Sequence, residues 1–256
     1  MTLIVRATAE SHVLLLESVL RPFVMTIALG LIWLGAARMP ASAKSRYTTA
    51  GVLSAVFLGW EAVAQYLGAA NTYLATIENP PAVPTILFGL LIPLAIAAIA
   101  LWQLESIARL VSAIPLHWLV AAQLYRVAGG IFLVLWADGR MPWQFALPAG
   151  IGDVVTGIVA VVVAAQLAQN AIGAGRAAYA WCLFGIADLV VAIAMGAMTS
   201  PGRVHLLALD APNLLVTAYP LVMVPTFAVP LALMLHGLVL LRLQRGAAST
   251  RRLAAA

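Results

Sequence analysis

The sequence predicts an all-α integral membrane protein, a bundle of seven transmembrane helices, and three observations carry that prediction. Hydrophobic residues make up 64% of the 256-residue chain and charged residues 9%, far from the roughly 45–50% and 25% of soluble globular proteins. The mean hydropathy is +1.03. The apolar residues gather into seven stretches, each long enough at about 1.5 Å per residue to cross a hydrocarbon core of about 30 Å. Such a composition excludes a disordered chain, a disulfide-stapled secreted domain and a soluble enzyme on one anchor. Residues 1–256 are expected to form a single transmembrane domain.

The first ten residues hold Arg6 and Glu10 without the ordered basic, apolar and small-residue regions of a signal peptide, so they are read as retained. The first span lies near 15–37. Its outer part contains Glu17, Arg21 and Pro22; either Glu17 and Arg21 pair at a spacing of four, or the segment before Pro22 lies along the interface. A polar, basic loop over 38–48 leads to the second span, near 49–70, which stops before Asn79-Pro80-Pro81. The third runs near 84–103. Ile107, Leu110, Val111 and Ile114 then mark an amphipathic connector at the membrane surface. The fourth span, near 118–138, ends before Gly139 and Pro142; the fifth, near 147–168, ends before Gly173 and Gly175. The sixth lies near 177–198. A long connection follows, with Pro201, Arg203, His205, Asp210, Pro212 and Asn213, either covering the mouth of the bundle or forming a plain surface loop. In the seventh, near 218–243, Pro220, Pro225 and Pro230 predict a kinked helix, with Thr226 placed to satisfy a freed carbonyl. His236 falls beyond them, nearer the cytoplasmic side and away from the charged layer described next, where a packing role is expected.

Basic residues set the orientation. Arg38, Lys44, Arg46, Arg109, Arg176, Arg242, Arg245, Arg251 and Arg252 fall at one end of the bundle, against Arg6, Arg140 and Arg203 at the other. The positive-inside bias predicts a cytoplasmic C-terminus and an outside N-terminus. Trp102, Trp118 and Trp181 near inner ends and Trp136 and Trp143 near outer ends read as interfacial aromatics. The net charge of +5 is thus an orientation signal, and no nucleic-acid partner is expected.

Charges deep in a span cost about 2.5–3.5 kcal/mol each on insertion scales, so each needs a partner, water or a functional role. Glu61, Arg126, Asp153 and Asp188 stand out as the candidate substrate or proton site. Measured from the outer ends of their spans, Asp153, Glu61, Asp188 and Arg126 lie roughly 9, 14, 15 and 18 Å deep, which predicts one shared polar layer supported by Gln65 and Gln123. Gly152, Thr156, Ala160 and Ala164 form a small-residue stripe in the fifth span, and Gly185, Ala192 and Gly196 flank Asp188 in the sixth, predicting close helix packing. Three carboxylates against one guanidinium leave negative charge in excess, so one carboxyl, expected at Asp188, holds a proton or a cationic ligand neutralises it. A structural cluster that fixes helix register is the competing reading. Gly150-Ile151-Gly152-Asp153-Val154-Val155 is echoed by Gly185-Ile186-Ala187-Asp188-Leu189-Val190, a pattern that either traces an inverted repeat or reflects biased composition.

The remaining inventory removes several chemistries. A retinal protein needs a lysine in its last span, and Lys44, in a loop, is the one lysine here. One clearly intramembrane histidine is too few for bis-haem ligation or a zinc hydrolase, and the sequence has neither G-x-S-x-G nor a Walker motif. No metal, cofactor or enzyme activity is expected. The lone Cys182 reads as a small packing residue.

Gln123-Leu124-Tyr125-Arg126, Ala146-Leu147-Pro148-Ala149-Gly150 with Gly152-Asp153, Pro212-Asn213 and the Pro225–His236 stretch resemble a group of uncharacterised bacterial multi-pass membrane proteins. The resemblance covers roughly the C-terminal half and implies a bacterial inner membrane, with no activity to carry over. The expected partners are the lipid bilayer, a small solute or proton, and either further copies of the chain or a partner membrane subunit. Two functional classes follow: a small proton- or cation-linked transporter or channel, and a non-catalytic subunit or sensor whose buried charges are structural.

Overall fold

The computed structural model describes residues 2–81 and 84–254, with side chains described over 18–81 and 84–245. Every regular element among them is helical: α1 (Thr2–Arg38), α2 (Ala43–Ala69), α3 (Ile86–Gln103), α4 (Glu105–Ala113), α5 (Leu116–Ala121), α6 (Ile131–Ala137), α7 (Trp143–Ala168), α8 (Ala174–Thr199) and α9 (Val229–Ala254), with a 3-10 segment joining α5 to α6 and a π-helical turn opening α9. Seven of the resulting rods are long and apolar enough to cross a membrane. Large apolar side chains such as Ile92, Ile99 and Val162 face outward along them, where a bilayer would cover them.

Helix boundaries depart from the sequence reading where a cap or a proline intervenes. α2 starts at Ala43 because the Ser42 hydroxyl accepts the Ser45 N–H, so part of the basic loop forms its first turn. α7 starts at Trp143, directly after Pro142. The seventh rod starts at Val224 and not near 218, because Tyr219 to Val222 turn before the helix begins. The paired Glu17–Arg21 expectation lies outside the described side chains at Glu17.

α7 sits at the centre, packed on α8 and along the whole fourth rod, with α9 closing the group against α5 and α8. The stripe of Gly152, Thr156, Ala160 and Ala164 is buried, as small residues at a close crossing require. α1, α2 and α3 form an outer layer that meets this core at the 3-10 segment, the π turn and, through α3, α9. There the Trp60 ring of α2 packs tilted against Phe227, 4.7 Å between ring centres. α4 is the amphipathic connector, and it burrows under α1 through fully buried Leu110.

The 3-10 segment spans Ala122–Gly130, much longer than the three or four residues usual for that winding. At three residues per turn Gln123, Arg126 and Gly129 stack on one line, whereas α-helical winding would swing Gln123 and Gly129 about 120° apart. The π turn, Val224–Ala228, contains Pro225. Thr226 Oγ1 donates to the Val222 carbonyl at 2.7 Å, which also accepts the Thr226 N–H at 3.2 Å, so the hydroxyl doubles an existing bond and does not satisfy a carbonyl freed by Pro225, as the sequence reading expected.

Candidate functional site

The line of residues on the 3-10 segment faces α7, α8 and α9, and Arg126 is its centre. The Arg126 side chain is 2% exposed. Its Nε donates to Asp153 Oδ1 at 2.7 Å, and Nη2 reaches both Asp153 and Asp188 Oδ2. Nη1 donates to the Gly185 carbonyl at 3.3 Å and lies 3.3 Å from His236 Nε2. A guanidinium has only donors, so Nε2 is the accepting nitrogen and the imidazole is the neutral Nδ1–H tautomer. That Nδ1 faces Cys182 Sγ at 3.3 Å, and the thiol donates back to the His236 carbonyl.

Glycines make this convergence possible. A Cβ on Gly152 would occupy the place of the Asp188 carboxylate, one on Gly129 would overlap Asp153, and one on Gly185 would strike the His236 ring. In the echoed motifs the glycine three residues before each aspartate therefore makes room for a neighbouring side chain. Gly185 admits His236, and Gly150 admits Leu133 of the fourth rod, which a Cβ there would meet at 2.8 Å. Neighbouring contacts lock the same elements. Gln123 Nε2 donates to the Ala232 carbonyl and Tyr125 to that of Ala228, both at 2.9 Å. Trp181 Nε1 donates to the Thr156 carbonyl, with its ring 4.7 Å from His236. Trp181 is thus a buried wall of the cluster, not the interfacial aromatic its position implied. Gln123 Oε1 and Thr156 Oγ1 are buried without a partner.

Glu61 does not join this layer. It pairs with Arg21 of α1 at 3.4 Å, because α2 packs on α1, α4 and the π turn and not on α7 or α8. Gln65 likewise turns to the Tyr219 hydroxyl, 3.4 Å away. His236 moves in the opposite direction, into the cluster. Measured from residue 218 it lies about 27 Å deep, but from Val224, where the rod begins, about 18 Å, level with Arg126. Ala228, Ala232 and His236 stand four apart on one face; the first two present the carbonyls that Gln123 and Tyr125 bond. That small-residue stripe was the available sequence signal.

Two cavities meet at this site. The larger has a volume of about 90 Å³ and runs from the connections at Pro81, Pro84 and Ser200–Gly202 inward to Asp153. The smaller, about 40 Å³, touches Arg126, Gly129 and Asp153 and reaches Leu20 of α1. Phe132, Asp153, Leu189, Val224 and Val229 border both. Spaces of this size hold water where polar groups face them. Tyr73 lines the larger one, and burial raises its phenol above the ordinary value, leaving a neutral donor. The connections at its mouth are tied together: Asn213 N–H donates to the Thr199 carbonyl, and Ala75 N–H to Thr217 Oγ1. The long 199–217 connection therefore lies over the cavity mouth. Among the described residues, no three His, Cys, Asp or Glu side chains gather as a metal-holding group.

Fold and site together define a multi-pass helical membrane protein with a buried arginine–carboxylate cluster. Residues 81–244 match the family described as Domain of unknown function (DUF8737), and the chain belongs to that family. The matched region holds Arg126, Asp153, Asp188 and His236 and excludes the Arg21–Glu61 pair. No curated protein and no solved structure matches the chain.

Proposed function

We propose that this protein is a small proton- or cation-linked transporter or channel of a bacterial inner membrane, its N-terminus outside and its C-terminus in the cytoplasm. The observation that carries the reading is the cavity that descends from the connecting loops to Asp153. Asp153 shares Arg126 with Asp188. With a neutral imidazole, two ionised carboxylates against one guanidinium leave one negative charge in excess. In a low-dielectric interior that charge is balanced by a proton or another cation. A cation arriving through the cavity meets Asp153 first. It competes there with Arg126, whose Nη2 retains Asp188 as its partner. The two non-α segments, at Arg126 and at Pro225, are where the surrounding rods yield most easily. Lipid covers the outer faces, and a solute or proton is the cargo.

The test is purified protein in proteoliposomes carrying an internal pH dye, with solute uptake followed in parallel. Flux above protein-free vesicles that falls at least tenfold in Asp188→Asn is the expected result. A second reading is favoured by the saturation of Arg126, whose three nitrogens all have partners. On that reading the cluster is structural and the protein is a non-catalytic subunit or sensor. Vesicles no leakier than protein-free ones, with Asp188→Asn changing thermal stability alone, would select it.

A further inference from the structure

Three features of the larger cavity bear on its occupant. Its walls are apolar, with Phe132, Phe145, Leu189, Ile193, Val224 and Val229 among them. Among the described residues, Asp153 is the one charged side chain in its lining. Toward the mouth, Ser200 lines the cavity and is 6% exposed, with Oγ buried and unpartnered. Asp188, which meets Asp153 through Arg126, stands twelve residues before Ser200, about 18 Å along the chain at helical rise. The space is therefore a slot with a negative foot, greasy sides and a hydrogen-bonding top.

Each ligand class fares differently there. An anion meets the excess negative charge of the cluster. A bare inorganic cation loses its hydration against mostly apolar walls, which return the Asp153 carboxylate and the scattered hydroxyls of Tyr73, Thr85, Ser200 and Thr217 in place of a full oxygen shell. A neutral hydrocarbon buries its surface but gives Asp153 nothing. An apolar body ending in one ammonium group satisfies the walls by burial and the carboxylate by charge-assisted hydrogen bonds.

We infer that this cavity binds an elongated lipophilic amine as its ammonium ion, the N–H donors on Asp153 and the apolar body directed toward Ser200. The assignment names the cargo class of the proposed transport and rests on that reading for turnover, but binding is measurable without it. The experiment is calorimetric titration of the full chain in nanodiscs with n-hexylammonium, n-hexanol and hexanoate, with empty nanodiscs subtracted. Saturable hexylammonium binding at least tenfold tighter than hexanol is expected, with no hexanoate binding. Asp153→Asn should bring hexylammonium to the level of hexanol. Because that variant also disturbs Arg126, Ala192→Leu serves as a second probe: it narrows the cavity while leaving every charge of the cluster in place and should weaken both binders at least fivefold. Equal affinity for ammonium and alcohol, a preference that survives Asp153→Asn in folded protein, or full hexylammonium affinity in Ala192→Leu overturns the inference. Ammonium binding without flux removes the transport reading alone, and flux without ammonium binding removes this inference alone.

Discussion

Arg126 has five N–H donors and presents them to two carboxylates, a carbonyl and an imidazole, so its removal strands more than one polar group in the bundle. Arg126→Ala should cost about 3–5 kcal/mol, the usual penalty for breaking a buried pair from one side. Combining it with Asp153→Asn and Asp188→Asn should recover part of that loss, and thermal unfolding in detergent measures both. An unchanged melting temperature for the single variant would mean that the guanidinium finds water and that the cluster contributes nothing to stability. The glycines give a sharper test of geometry. Gly152→Ala places a methyl where the Asp188 carboxylate sits and should destabilise by about 1–3 kcal/mol, as overpacking does. Gly59→Ala, on α2, meets nothing within 4 Å and should be neutral or stabilising by up to about 1 kcal/mol. Equal melting temperatures for the two variants would contradict the close approach of α7 and α8.

At the scale of elements, α9 is held at both ends by different means. Near its start, Gln123 and Tyr125 bond its carbonyls. Toward its basic end, Arg242 Nη1 donates to the carbonyls of Val111, Ser112 and Ile114 at the end of α4, closing the carbonyl groups that a helix C-terminus leaves open. Arg242→Ala should therefore loosen α4, with a loss of about 1.5–3 kcal/mol for a charged donor to backbone oxygen and faster amide exchange confined to residues 105–114. Global acceleration of exchange would show that the contact supports the whole bundle and not this connector. The seven apolar rods were legible because hydropathy reports length and composition, which lipid demands directly. So were Arg126, Asp153 and Asp188, whose charges have no ordinary place in a span. Glu61 and His236 were misplaced for one reason each. A depth along the helix gives height in the bundle but no azimuth, so Glu61, assigned to the layer by its depth, faces Arg21 of α1 instead. The start of the seventh rod depended on a non-helical turn over residues 219–222 that a proline-rich apolar run does not reveal. The 3-10 winding over Ala122–Gly130 had no sequence signal beyond Gly129-Gly130, yet it is what lines up Gln123, Arg126 and Gly129.

For the whole molecule, the orientation of the bundle decides from which side the cavity fills. The slot opens beside Pro81 and Ser200, at the end opposite Lys44, Arg46, Arg109 and Arg176, so the proposed orientation would put its mouth outside the cytoplasm. The chain lends itself to a direct test, because its single cysteine, Cys182, is fully buried and bonded to His236 and should resist a membrane-impermeant maleimide. Ile172, fully exposed in the connection between α7 and α8, and Glu78, exposed near the cavity mouth, supply sites at opposite ends. In intact inverted membrane vesicles, Ile172→Cys should label at once and Glu78→Cys only after permeabilisation; in right-side-out vesicles the order should reverse. Reversal of both patterns would keep the bundle and turn the cavity toward the cytoplasm, making it an exit route instead of an entry. Labelling of both sites from one face would remove the odd number of crossings between them, and with it the seven-rod bilayer arrangement that gives Asp153 and Asp188 a low-dielectric setting.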